Sequence, residues 1–186
     1  MTKLFAGATI LTLLLQIPLW AQYQGGDFVT SNEEDLKTRY NVESEEELVQ
    51  DLQSVLNLAI VGIFPRRKTQ CLKYKETRTS AKKALEIIRK VVPVLPKSYR
   101  IVVIGNADKR GRETSMRGKR GNDYWSAMRA KSVSDYIVSQ YPEAKNFMLM
   151  GGQGSKLNKR AVTFKILPKA QAEKLHSKLI RKFKWE

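Results

Sequence analysis

Residues 101–137 have the sequence IVVIGNADKRGRETSMRGKRGNDYWSAMRAKSVSDYI, and we expect the fold to be built around this stretch. It opens with four consecutive β-branched residues (101–104), which are typical of a short strand buried on both faces. The strand is expected to end at Gly105, with Asp108 in the loop just past its end. A helix is expected to begin near Asn122, whose side chain can accept from the first free backbone N–H groups as an N-cap.

The spacing of apolar residues on that helix predicts which face meets the strand. Ala130, Val133 and Ile137 fall at i, i+3 and i+7, so they form one apolar stripe. Arg129 directly precedes the stripe, at the end of the helix nearest the loop. The strand end and the helix start therefore bring the carboxylate of Asp108 and the guanidinium of Arg129 to the same rim.

The connecting loop, 109–121, is strongly basic. It contains one acidic residue, Glu113. Its six basic residues are Lys109, Arg110, Arg112, Arg117, Lys119 and Arg120.

Two motifs in this stretch resemble a known family. Gly105-Asn106-Ala107-Asp108 is similar to the G-x-T-D that ends a central strand in the OmpA-like peptidoglycan-binding domain (OmpA, Pal, MotB). The segment 122–130, NDYWSAMRA, is similar to that family's N-x-x-L-S-x-x-R-A. Further along, Asn158-Lys159-Arg160 and the alternating apolar residues after it resemble the closing N-R-R-V-x-I. The resemblance extends over about residues 58–167.

The resemblance implies a binding site for the peptide stem of peptidoglycan. In the family an Asp and an Arg grip diaminopimelate, and the matching residues here are Asp108 and Arg129. A carboxylate can pair with the stem's ammonium, and a planar guanidinium can hold its carboxylate through two parallel hydrogen bonds. The full implied set of peptidoglycan-binding residues is Asp108, Arg129, Asn122, Gly105, Trp125 and Ser126. The chain departs from the family at Asn106-Ala107, at Trp125 where Leu is usual, and in its longer loop.

The fold class implied is α+β, an OmpA-C-like βαβαββ sandwich with helices packed on a mixed sheet. The core elements expected are a strand at 58–64, a helix from Thr79 or Ser80 to Val92, the strand at 101–104, the helix from Asn122, a strand at 147–150, a turn at 151–154 and a strand over 162–166. Helical extensions are expected at both ends. Ser44-Glu45-Glu46-Glu47 has the capping-box form and predicts a helix over 45–58. A second helix is expected over 170–186.

The N-terminal residues have the features of an export signal. Met1–Ala21 contains an early lysine, an apolar run and a small residue at Ala21, which indicates a secretory signal peptide cut near that point. An uncleaved N-terminal anchor is the alternative. We therefore divide the chain into a signal peptide or anchor (1–21), an acidic lead-in and helix (22–57), the OmpA-like domain (58–167) and a basic amphipathic helix (168–186).

Charge is divided sharply along the chain. Residues 22–51 contain nine acids and two bases, a net of −7, whereas 52–186 contain 31 bases and nine acids, a net of +22. The acidic helix either lies against the basic domain or is solvated. The C-terminal helix has a predicted stripe of Ala172, Leu175, Leu179 and Phe183. It either packs back onto the domain or binds anionic lipid or an acidic partner.

The residues that enzymes most often use are scarce. The chain has one histidine, His176, and one cysteine, Cys71, and these cannot form a His/Cys metal cluster. Cys71 is expected to be either buried or paired with another chain. We expect no catalytic residue, no metal site and no cofactor.

These observations predict a non-catalytic periplasmic protein that docks onto the diaminopimelate stems of peptidoglycan. Such a protein would anchor the outer membrane, or an envelope-spanning machine such as a secretion system or motor, to the cell wall. Its other expected partners are an envelope protein complex or an anionic membrane surface. The alternative is a basic exported protein that binds nucleic acid, anionic lipid or an acidic protein through charge alone. The export signal and the two-part motif disfavour nucleic acid.

Overall fold

The computed structural model describes residues 44–116, 119–152, 154 and 156–184. The predicted signal peptide and residues 22–43 of the acidic lead-in lie outside these residues. The described chain forms, in order, α1 (Glu45–Leu56), α2 (Lys75–Val91), β1 (Tyr99–Gly105), α3 (Asn122–Gln140), β2 (Met148–Gly152), β3 (Val162–Pro168) and α4 (Lys169–Phe183). Across these ranges, no helix combines the length and the apolar character needed to cross a membrane.

β1 is the central strand of a three-stranded mixed sheet with the order β2-β1-β3. It runs parallel to β2, with Ile101 opposite Met148, and antiparallel to β3, with Gly105 opposite Val162. Because β1 and β2 are parallel, the chain crosses between them through α3 in a βαβ unit. The predicted α+β class, with helices packed on a mixed sheet, is confirmed.

The prediction that β1 is buried on both faces is also confirmed. Its four β-branched residues (101–104) are at most 7% exposed. Ile101 and Val103 belong to the main core, which also contains the apolar faces of α1, α2 and α3. The predicted stripe of α3, Ala130, Val133 and Ile137, is fully buried in that core. β1 is thus held from both sides, and its end at Gly105 has a fixed position.

The C-terminal helix α4 covers the opposite face of the sheet. Val102 and Ile104 form a second, smaller apolar cluster with Leu167 and with Ala172 of α4. Of the two alternatives for this helix, packing back onto the domain is what the structure shows. The predicted apolar stripe is wrong at Leu175, which is 42% exposed. Ala172 and Leu179 lie two turns apart on the buried line of the helix, and Leu175 lies to one side of it.

The acidic helix α1 lies against the domain and is not solvated on its apolar face. Ser44 caps it as predicted, because its Oγ accepts from the backbone N–H of Glu47 at 3.1 Å. The side chain of Gln53 pairs with the outer edge of β3. It accepts from Ile166 N at 2.7 Å and donates to Phe164 O at 3.2 Å. The glutamine amide thereby satisfies backbone groups that an edge strand would otherwise leave unpaired.

The predicted first strand, 58–64, is not a regular strand. Only Val61 forms a bridge to the sheet, opposite Val162 of β3, and Phe64 N donates to Arg160 O at 2.9 Å. Ala59, Val61 and Phe64 are buried, whereas Leu58, Ile60 and Ile63 are exposed. Burial alternates over 58–61, but the next buried residue after Val61 is Phe64, three positions on, so the two-residue alternation of a strand is lost after Val61. The βαβ unit of the structure is therefore β1–α3–β2.

Two other predicted boundaries are also wrong. α2 begins at Lys75, about a turn before the expected Thr79 or Ser80. The Ser80 hydroxyl oxygen lies 2.9 Å from the carbonyl oxygens of both Glu76 and Gly62, which compete for its one proton, so Ser80 lies inside the helix instead of capping it. The expected turn at 151–154 begins later, because residues 151 and 152 extend β2 beside the end of β1.

Cys71 is buried and is expected to react slowly. Its backbone N–H donates to Ser132 Oγ at 3.0 Å and its Sγ to Ser132 O at 3.4 Å, and burial raises the pKa of its thiol. We expect alkylation by iodoacetamide to be at least about tenfold slower in the native protein than in urea, because the thiolate is disfavoured and inaccessible. Mass spectrometry of timed samples measures this. A disulfide-linked dimer on a non-reducing gel of native protein would contradict it.

Candidate functional site

The segment after β1 is held by backbone hydrogen bonds to its neighbours. Asn106 N donates to Ala161 O at 2.8 Å, and Ala107 N donates to Gly154 O at 2.7 Å. Asp108 follows, with its carboxylate partly exposed. Its Oδ2 lies 3.7 Å from Nε of Arg160. The backbone around the acid is therefore fixed by the sheet, whereas the carboxylate itself is held loosely, since 3.7 Å exceeds an ordinary hydrogen-bond distance.

The start of α3 differs from the prediction in a way that affects the site. Asn122 is the first helical residue, and the N-cap is Gly121, which makes no side-chain cap. The Asn122 side chain instead donates from Nδ2 to the backbone carbonyl of Asp108 at 2.9 Å. It therefore ties the start of the helix to the residue that carries the acid.

Among the described residues, Arg129 is the largest of the fully buried side chains, and it is only 2% exposed. Its Nε donates to Lys68 O at 3.1 Å and its Nη1 to Asn106 O at 2.8 Å. Its Cζ lies 5.6 Å from the centre of the Phe64 ring, a cation–π contact. Nη2 donates to no residue in the described ranges. Two carbonyls and a ring thus fix the guanidinium and leave one edge available to a ligand.

Burial and a neighbouring cation both act on Arg129. Burial lowers its pKa, the positive charge of Arg160 lowers it further, and Asp108 raises it, with the result that the pKa is about 10. The guanidinium is still charged at neutral pH. The carboxylate of Asp108 therefore acts electrostatically on Arg129 while its ion-pair contact is with Arg160.

The long basic loop is folded onto the start of α3. The first two N–H groups of the helix donate to the loop, Asn122 N to Arg112 O at 2.8 Å and Asp123 N to Glu113 O at 2.9 Å. Asp123 Oδ1 in turn accepts from Ser115 N at 3.0 Å and from Ser115 Oγ at 2.8 Å. The lengthened loop therefore has a definite position at the rim of the site.

A cavity of about 200 Å³ lies between the loop, the end of β1 and the start of α3. Asp108, Asn122, Trp125 and Arg129 all line it. Among the described residues that line it, Asp108 is the one acid. The basic residues are eight in number: Arg66, Arg67, Arg110, Arg112, Lys119, Arg120, Arg129 and Arg160. The cavity is therefore strongly positive.

The chain is similar to solved structures of MotB domains. A crystal structure of the periplasmic domain of Helicobacter pylori MotB has 21% identity and a TM-score of 0.41, over 65% of this chain and 80% of that chain. A second crystal structure of the same domain has 21% identity and a TM-score of 0.42, over 70% and 82%. The C-terminal domain of the same protein has 17% identity and a TM-score of 0.40, over 67% and 99%. No protein-family model and no curated protein matches the chain.

Of the six residues predicted for the site, the structure brings four together at the cavity: Asp108, Asn122, Trp125 and Arg129. Gly105 and Ser126 lie behind it, where β1 meets α3. A Cβ on Gly105 would lie 1.7 Å from Ser126 O, so this glycine permits the close approach of strand and helix. Ser126 Oγ donates to Asp123 O at 2.9 Å and accepts from Gly154 N at 3.1 Å. These two residues position the site without lining it.

Sequence reasoning missed three arginines from outside the central stretch. Arg66 and Arg67 follow the irregular segment after α1, and no local pattern indicated that they would reach the cavity. Arg160 lies two residues before the start of β3 at Val162. Because β3 is antiparallel to β1 and begins beside its end, a residue just before β3 must lie near Asp108. The antiparallel pairing and the N-R-R-like motif were the signals that could have identified Arg160.

Proposed function

We propose that this chain is a non-catalytic peptidoglycan-binding protein of the cell envelope, exported to the periplasm through residues 1–21. In this proposal Asp108 and Arg129 grip the diaminopimelate of a peptide stem. The protein then anchors the outer membrane, or an envelope-spanning machine, to the cell wall. The observation that supports it most is that these two residues, 21 positions apart, line one cavity.

The geometry of the two charged groups suits opposite charges on one ligand. Arg129 already donates to the carbonyls of Lys68 and Asn106, so its guanidinium can bind a carboxylate without a further loss of side-chain conformational entropy. Among the described residues the carboxylate of Asp108 has only its long contact to Arg160, so it can turn to a ligand ammonium. Charge-assisted hydrogen bonds of this kind contribute about 1.5–3 kcal/mol each.

The size of the cavity suits the end of one side chain. Pockets that enclose drug-sized molecules have volumes of about 300–1,000 Å³, and this one has about 200 Å³. An amino acid terminus that projects from a polymer would fit, while the rest of the polymer lies across the rim. Many such weak sites along a wall would provide a reversible attachment.

Binding through charge alone is the second candidate, and one observation favours it. The described lining carries eight basic side chains against one acid, so any polyanion would be attracted to it. Nucleic acid or anionic lipid bound in this way would not depend on the carboxylate of Asp108. It would also weaken steeply with salt.

Co-sedimentation with purified sacculi tests the proposal. We expect Asp108→Asn to weaken binding about tenfold, because it removes one charge-assisted pair of roughly 1.4 kcal/mol or more. The matched control is Asp135→Asn, which makes the same change at an exposed position of α3 and should bind as the native protein does. Arg129→Lys keeps the charge but loses the planar two-point contact, and we expect it to bind more weakly than the control. Equal co-sedimentation of the native protein and the three variants would reject the proposed grip of Asp108 and Arg129 on diaminopimelate. Binding through charge alone would then explain the association with sacculi.

A further inference from the structure

The cavity holds more positive charge than one zwitterionic group can balance. The single carboxylate of Asp108 pairs with Arg160 at 3.7 Å, and Arg129, on which the same carboxylate acts electrostatically, has no ion pair of its own among the described residues. The ammonium and carboxylate of one amino acid add no net charge.

Two of the additional cations, Arg110 and Arg112, belong to a part of the loop whose backbone is fixed. Lys109 N donates to Asn158 Oδ1 at 2.9 Å, and Arg112 O accepts from Asn122 N at 2.8 Å. Gly111 lies between the two arginines with φ of 97°, which an L residue rarely adopts. The two arginines therefore flank a sharp turn that is pinned on both sides. Their side chains line the cavity from this turn.

Another exposed cation of the loop, Arg120, contacts aromatic rings. Arg120 Cζ lies 4.6 Å from the centre of the Tyr124 ring and 5.8 Å from that of Trp125. Stacking of this kind contributes to holding a guanidinium in place. Arg110 and Arg112 have no ring contact, ion pair or side-chain hydrogen bond to any residue in the described ranges. They therefore combine a fixed backbone with guanidiniums that no described residue holds, so they can meet a second anionic group.

We propose that the site recognises a second carboxylate on the stem peptide, through Arg110 and Arg112, in addition to the pair held by Asp108 and Arg129. The site then distinguishes stems whose glutamate α-carboxylate is free from stems in which it is an amide. This inference rests on the proposed function, since it takes the stem as the ligand. An amide has no charge for a guanidinium and offers one acceptor oxygen where a carboxylate offers two.

Calorimetric titration with two synthetic stem tetrapeptides tests the inference. Both contain diaminopimelate, and they differ only in a free or amidated α-carboxyl of the glutamate. We expect the native protein to bind the free peptide about fivefold more tightly, the upper end of the effect of an ion pair at a partly exposed rim. Arg110→Gln/Arg112→Gln should weaken binding of the free peptide to the level of the amidated one. The control Lys82→Gln/Lys83→Gln removes the same charge from an exposed part of α2 and should keep the discrimination.

The outcomes separate this inference from the proposed function. Equal affinity of the native protein for both peptides would overturn the inference and leave the diaminopimelate clamp intact. If Arg110→Gln/Arg112→Gln still bound the free peptide more tightly than the amidated one, these two arginines would not be the residues that recognise the second carboxylate. If neither peptide binds the native protein, the proposed function itself fails, and the inference fails with it.

Discussion

Gly105→Ala is expected to destabilise the protein by about 3 kcal/mol or more, or to prevent folding. A Cβ at this position would lie 1.7 Å from Ser126 O, 2.6 Å from Ser126 C and 3.1 Å from Ala130 N. All three are backbone atoms of α3, so no side chain can rotate away, and the helix must move off the sheet. Chemical denaturation of the purified variant measures the loss, which corresponds to a fall in Tm of roughly 10 °C for a protein of this size.

Gly62→Ala is the control for this substitution. A Cβ there meets only Ala161 Cβ at 3.6 Å, an ordinary contact. We expect a change in unfolding free energy of less than about 1 kcal/mol. If the two variants were equally stable, β1 and α3 would not approach as closely as the structure has them. The position of Asp108 relative to Arg129 would then also be wrong, because the same contact sets it.

Asp123→Ala is expected to lower the unfolding free energy by about 2–4 kcal/mol. This carboxylate joins three parts of the fold. It accepts from Ser115 of the basic loop at 2.8 Å, from Tyr124 N at 2.7 Å and from Lys182 Nζ of α4 at 2.8 Å. Removal of the carboxylate leaves Ser115 and Lys182 without this partner, so the loop and α4 should both become easier to cleave. Urea denaturation gives the energy, and limited proteolysis with mass spectrometry locates the new cuts.

Asp135→Ala is the matched control, since Asp135 pairs with Lys131 on an exposed face of the same helix. Its loss should change the unfolding free energy by less than about 0.5 kcal/mol. Comparable losses for the two aspartates would show that Asp123 does not join the loop to α4.

Lowering the pH should remove the contribution of Asp123 to the unfolding free energy. Burial alone would raise its pKa, but hydrogen bonds from Lys182, Ser115 and Tyr124 lower the pKa below the ordinary 3.8. A carboxyl whose pKa is lower in the folded protein stabilises it fully above the ordinary value, and this stabilisation is lost as the pH falls through the folded pKa. The difference in unfolding free energy between native protein and Asp123→Ala should therefore shrink as the pH falls below 3.8. A constant difference would mean that the carboxylate is not held by these bonds.

The predictions that the structure confirms are those in which the local sequence pattern and the tertiary packing favour the same conformation. The β-branched run at 101–104 is buried on both faces, and the stripe of Ala130, Val133 and Ile137 faces the main core. The helix at 45–58 was also predicted within two residues, because Ser44 is a capping residue and the apolar spacing after it is regular. In each case the residues that form the element also determine what it packs against.

The predictions failed where a distant partner decides the conformation. The apolar run at 58–64 has the composition of a strand, yet only Val61 bridges to the sheet, because the segment also has to bring Phe64 beneath Arg129. Asn122 has the composition of an N-cap, yet its amide donates to Asp108 O. Neither partner is near in sequence, so no local pattern indicates the outcome.

By itself the sequence determined that a strand ends before Asp108, that a helix bearing Arg129 follows, and that a basic loop lies between them. Alternation, helical periodicity and composition are properties of neighbouring residues, and they are visible in the chain. Only the tertiary structure decided that the loop folds onto the helix start and that Arg66, Arg67 and Arg160 join it around one cavity. The loop and the arginines converge because β3 lies antiparallel beside the end of β1 and because α3 packs closely against β1 at Gly105. Both contacts depend on pairs of residues that are far apart in the chain.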